Sequence, residues 1–168
     1  MNLDNADFKK RVEEAKAEEG KIDAFRLEVI KWHALIDKDL DSFISAALPN
    51  PSYVKLEDMN FYRKGNLALA LSLKDDKDPM WAVFWAITHL RNKSAHVFEP
   101  RIVKEKMDYL RKTYIGILGS NQKADAEKKT DPDIVKEATW LVMGFLGQLT
   151  QDAKGRAAII DEHWEGRS

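Results

Sequence analysis

The stretch MWAVFWAITHLRN, Met80–Asn92, decides the fold class. Met80, Trp81, Val83, Phe84, Trp85, Ile87 and Leu90 fall on every face of a helix of 3.6 residues per turn. A helix without a polar side has to be surrounded by other elements, so this one is expected at the centre of the molecule. Asp78-Pro79 precedes it, a good N-cap and first-position pair.

On either side the apolar period is again helical, and strand-like alternation is hard to find. Upstream, FYRKGNLALALSL (Phe61–Leu73) reads as a helix capped by Asn60. Gly65 inside it costs stability and marks a place where another helix comes close. Earlier still, Ile22, Phe25, Val29, Ile36, Leu40, Phe43 and Ala47 form one stripe over Lys21–Leu48, stopped by Pro49-Asn50-Pro51. Residues 1–20 read as a charged helix or loosely attached arm, ended by Gly20.

Downstream, Val103, Met107, Leu110, Tyr114 and Ile117 give a further helix, with Gly119 as its stop. Residues 120–131 read as a mobile loop. Thr130 or Asp131 then caps a last helix that opens on Pro132 and runs past Gly155 towards Ile160. The sum is an all-α, single-domain helical bundle of five to six helices over residues 21–168, with 1–20 as an appendage.

The bulk numbers narrow the chemistry. Net charge is −1 over 168 residues, so no global field draws the protein to nucleic acid or an anionic membrane, and any such partner needs a local patch. Cysteine is absent, which removes disulfides, thiolate metal sites and cysteine nucleophiles. The polar start MNLDNADFKKRVEE is not a secretory signal, and no run is apolar enough to cross a bilayer. A cytoplasmic location without membrane contact is the expectation.

The central helix leads into HLRNKSAHVFEP, His89–Pro100, where Arg91, Asn92 and His96 crowd into what reads as a short break. Each has a structural explanation. Asparagine suits a helix end, arginine suits the negative pole of the helix dipole, and histidine can satisfy a loose carbonyl. Together they offer more. A guanidinium fork matches two phosphate oxygens, and an imidazole moves protons near neutral pH. RNA brings its own nucleophile, the 2′-hydroxyl, so such a pair can cleave a phosphodiester with no metal and no cofactor.

Arg91-Asn92-Lys93-Ser94-Ala95-His96 resembles the arginine–four–histidine signature of the HEPN superfamily, with Asn92 as the polar follower. DMNFYRKGNLALALSL (residues 58–73) is similar to the aromatic–x–x–Lys/Arg helix of that superfamily's mannitol-operon-repressor branch. The resemblance covers roughly Lys21–Gly119 and leaves the N-terminal arm and last helix unexplained. It implies a helical homodimer with a shared cleft and metal-independent endoribonuclease activity of toxin–antitoxin, phage-defence or RNA-processing type. His96 would be the general acid and base, Arg91 would bind the scissile phosphate, and Asn92 would orient it. Lys93, Ser94, Arg101 and Lys104 would contact RNA, although these positions also suit an ordinary solvated face. The alternative is a non-catalytic HEPN-like dimer, similar to the mannitol-repressor branch, that regulates by binding a nucleotide or a protein such as an antitoxin or regulatory partner.

The other histidines and aspartates read as structural. His33 on the inner stripe is expected to hydrogen-bond within the bundle, and His89 to be a core or edge residue. Asp37, Asp39 and Asp41 lack the glycine and closing glutamate of a calcium loop and read as the wet side of a helix. Trp81 and Trp85 are expected in the core.

Overall fold

The computed structural model describes the backbone of residues 5–74, 77–96 and 99–165, and their side chains except those of 5–8, 11, 12, 15, 18, 19, 21–23, 96 and 160–165. Among the described residues it contains six α-helices and no strand. They are α1 (Asn5–Ala47), α2 (Phe61–Leu71), α3 (Pro79–His96), α4 (Pro100–Ile117), α5 (Ser120–Ala126) and α6 (Asp131–Glu165). Two short 3₁₀ turns, Pro51–Tyr53 and Leu56–Asp58, carry the chain from α1 to α2. No described helix is long and apolar enough to cross a membrane.

Local chemistry sets the helix starts. Asn60 Oδ1 accepts the Arg63 amide at 2.9 Å, and Asp78 Oδ1 accepts that of Met80 at 2.9 Å. Thr130 Oγ1 takes the Asp133 amide at 3.4 Å, so of the two candidate caps for α6 it is the threonine that serves. α1 stops at Ala47, just before the prolines at 49 and 51.

α3 is the hub. Trp81, Val83, Phe84, Ala86, Ile87 and Leu90 are buried among Ile36, Leu40 and Phe43 of α1, Met107 and Leu110 of α4, and Val142 and Leu146 of α6. Trp81 meets Phe84 and Phe145 edge to face, with centroids 5.4 and 5.2 Å apart. α1 and α6 pack along each other and close the bundle. α2 packs along α1 and meets two rings of α3 at Gly65. A Cβ there would stand 2.7 Å from Trp85 Cη2 and 2.9 Å from Phe84 Cε1, so only glycine lets these rings lie against the α2 backbone.

Three expectations need correction. Gly20 does not end a helix, because α1 passes through it. An exposed helical glycine costs about 1 kcal/mol, which the helix-forming lysines and glutamates around it tolerate. Residues 120–131 are not simply a loop, because α5 occupies Ser120–Ala126, anchored by the fully buried Ala126. Finally, Arg91–His96 is not a break between helices. It forms the last turns of α3, since arginine, lysine, serine and alanine all continue a helix.

Candidate functional site

The site is built on the last turns of α3 and what packs beneath them. Arg91 is half-buried there, and its Nη1 donates to Asn92 Oδ1 at 3.1 Å. No carboxylate pairs with Arg91 among the described residues, so its charge is held in place but not neutralised by an acidic partner. Asn92 and Lys93 are exposed. Ser94 points inward, 5% exposed, with its Oγ lacking a hydrogen-bond partner. The side chain of His96, together with Val97 and Phe98, lies outside the described residues.

Beneath Arg91, α1 supplies His33. Its ring is buried 3.9 Å from that of Phe61, which stacks in turn on Phe84 at 5.3 Å. Its Nε2 has no hydrogen-bond partner, contrary to the expected bond within the bundle. Burial lowers the His33 pKa to about 4, the Arg91 guanidinium adds to the shift, and Asp37 opposes it. The imidazole is therefore neutral at physiological pH, and it feels the charge of the motif arginine. Sequence alone placed His33 on an inner stripe but could not bring it to Arg91, fifty-eight residues away.

The same flank of α1 corrects the reading of its aspartates. Lys64 of α2 is buried, and its Nζ sits 3.1 Å from Asp37 Oδ1 and 2.7 Å from Asp41 Oδ1. Burial works against the ammonium, but hydrogen bonds to Asp41 and Asp37 outweigh it and hold the pKa above lysine's ordinary value. Asp37 and Asp41 thus clamp a buried cation rather than merely wetting the helix. The i, i+4 spacing of the two aspartates was the available signal, but their lysine lies on another helix.

The expected RNA contacts separate into distinct environments. Lys106 holds the Glu105 carboxyl below the usual range, with smaller contributions from Arg101 and Lys93. Lys93 at the end of α3 and Arg101 at the start of α4 therefore act on one carboxylate. Both are exposed, and neither has an ion-pair partner among the described residues. Lys104 is engaged instead by Asp108 at 3.0 Å, and Ser94 is turned away from solvent. His89 is exposed on the outer side of α3, and Trp85 is only half-buried. Among the described residues no three histidine, aspartate or glutamate side chains gather as a metal site.

Compared with known protein families, characterised proteins and solved structures, the chain matches none.

Proposed function

We propose that this chain is a metal-independent endoribonuclease of toxin, phage-defence or RNA-processing type, resembling HEPN proteins and acting as a homodimer. The observation that supports it most is Arg91. A guanidinium positioned by Asn92 and free of acidic partners among the described residues stands half-exposed at the end of the central helix. Such a cation fits the two non-bridging oxygens of a phosphodiester.

In this reading Arg91 binds the scissile phosphate and stabilises charge on the phosphorane, and Asn92 holds the guanidinium in register. His96 takes the proton from the substrate's 2′-hydroxyl as that oxygen forms a bond to phosphorus. The bond to the 5′-oxygen breaks, and that oxygen leaves with a proton delivered by the imidazolium of the second copy. The products are a 2′,3′-cyclic phosphate and a 5′-hydroxyl. Lys93 and Arg101 follow the flanking backbone. Lys104 joins them only by leaving Asp108, and the inward-facing Ser94 has no part in RNA contact.

A second reading, a non-catalytic regulator that binds an antitoxin or another protein, has its own support. Cations on α4 are largely spent on neighbours: Lys104 on Asp108, Lys106 on Glu105, and Arg111 on Asp131 at 2.6 Å. With a net charge of −1, little remains to track a polyanion.

Purified wild type, Arg91→Ala and His96→Ala incubated with mixed RNA in EDTA distinguish the two. Cleavage by wild type, reduced roughly 10²–10⁴-fold in His96→Ala and comparably in Arg91→Ala, supports the nuclease. Equal inertness of all three, with unchanged circular dichroism, overturns it in favour of the regulator.

A further inference from the structure

The solvent-facing line of the central helix runs through Ala82, Trp85, His89, Asn92 and Lys93, and it ends at the turn that carries Arg91. At its other end Trp85 is half-buried and meets Tyr62 of α2, which is 59% exposed, with ring centroids 5.2 Å apart and planes inclined at 49°. The indole is held in place. Its Cη2 would stand 2.7 Å from a Cβ at Gly65, so it lies against the α2 backbone, and Phe84 meets it edge to face at 4.9 Å. Rings fixed in this way at the surface offer large apolar faces that need little ordering when something stacks on them.

Charge lies at the other end of the line. In a chain that is 33% charged, the 18 residues of α3 and the 11 of α2 include no aspartate or glutamate. Arg91 and Lys93 have no ion-pair partner among the described residues, and the acids around them are accounted for. Asp37 and Asp41 of α1 bond the buried Lys64, Glu105 of α4 bonds Lys106, and Glu57 and Asp58, in the turn ahead of α2, form no ion pair among the described residues. Exposed His89 stands between the rings and the cations. From Trp85 to Asn92 the helix rises about 10 Å, which about two or three nucleotides of one strand span. This order selects the occupant. Rings alone would take any apolar group, and the cations alone any anion. Flat faces set a short, fixed distance from unpaired cations match a strand whose bases are unstacked and whose phosphates follow at that distance.

We propose that Tyr62 and Trp85 form a stacking platform for an unpaired base of RNA, whose phosphate chain runs past His89 to Lys93 and Arg91. The inference rests on the nuclease reading for the identity of the polymer. It adds that the substrate is single-stranded, and it says where a base of it lies. Duplex RNA keeps its base faces within its own stack and gains nothing from the rings.

A short 2′-O-methyl oligouridine tests it, free and annealed to its oligoadenosine complement, by fluorescence anisotropy with the full-length protein. Its blocked 2′-oxygen prevents cleavage, so binding is read apart from turnover. The expected result is a single strand bound several-fold tighter than the duplex, although the duplex carries twice the phosphates. Tyr62→Ala is expected to weaken the single strand about 5–100-fold, the range for one lost stacked base, and to leave the duplex unchanged, while Tyr62→Phe keeps the wild-type affinity. Should Tyr62→Ala disturb the circular dichroism, Tyr62→Leu, which keeps an apolar contact with Trp85 but has no ring, is expected to show the same loss. Equal affinity for the two forms, or ringless variants that bind as wild type does, overturns the proposal even where wild type cleaves RNA. Binding that depends on Tyr62 without any cleavage supports the platform and overturns the nuclease reading alone. No binding of either form overturns the proposal and leaves the rings to a protein partner.

Discussion

At His33 the imidazole is buried on Phe61 beside Arg91, and its pKa falls from 6.5 to about 4. As pH drops below 6.5 the unfolded chain takes up a proton that the folded chain refuses. Stability from this group is therefore complete above about pH 6.5 and is lost progressively as pH falls towards 4. The whole effect amounts to about 3 kcal/mol at most. Urea unfolding at pH 7 and pH 4.5 should show a larger loss for wild type than for His33→Leu, whose apolar side chain suits the same surroundings. Identical pH dependence in the two proteins would rule His33 out as the source. The sequence marked this histidine as interior from its place on the helical stripe. Its unpartnered Nε2 and its arginine neighbour depend on three helices meeting and leave no local trace.

Helix boundaries divide the same way at the scale of elements. The caps Asn60 and Asp78 were legible, and Thr130 as one of two candidates with Asp131, because a side-chain oxygen and an amide two or three residues later are close whatever the rest of the chain does. Gly20 and residues 120–131 misled because a break signal is only a cost, and burial of Ala126 or continuity of a long helix can exceed it. Gly65 is the instructive case: its sequence cost pointed to a close approach, and Trp85 and Phe84 provide it. Gly65→Ala gains up to about 1 kcal/mol in helix propensity but forces rigid rings aside, which costs about 1–3 kcal/mol. Net destabilisation of up to about 2 kcal/mol, read from denaturant midpoints, is expected. A stabilised variant would show that α2 can slide off α3 at no cost.

Over the whole molecule, α1 spans roughly 65 Å at 1.5 Å per residue, yet the described core side chains begin only at Phe25 and Val29. Described side chains ahead of them, such as Lys9, Glu13 and Lys16, are exposed, and the Lys10–Glu14 pair at 3.9 Å is a solvated one of little worth. Removing residues 1–20 should therefore leave the thermal midpoint within about 3 °C of the full chain by calorimetry. A much larger fall would mean that the front of α1 is held by packing, either within the chain or against a second copy.

The helical bundle, the presence of a central helix through Met80–Asn92 and the capping residues of α2 and α3 followed from sequence, because periodicity and capping are properties of neighbours along the chain, but the sequence ended that helix before its last turn to His96. Tertiary structure decided the rest. It sent Ser94 inward and Lys104 to Asp108, clamped Lys64 between two aspartates, set His33 beneath Arg91, and stood Trp85 beside Tyr62 at the surface. The physical reason is that charge pairing and burial depend on distance through space, and helices remote in sequence acquire that distance only when they pack.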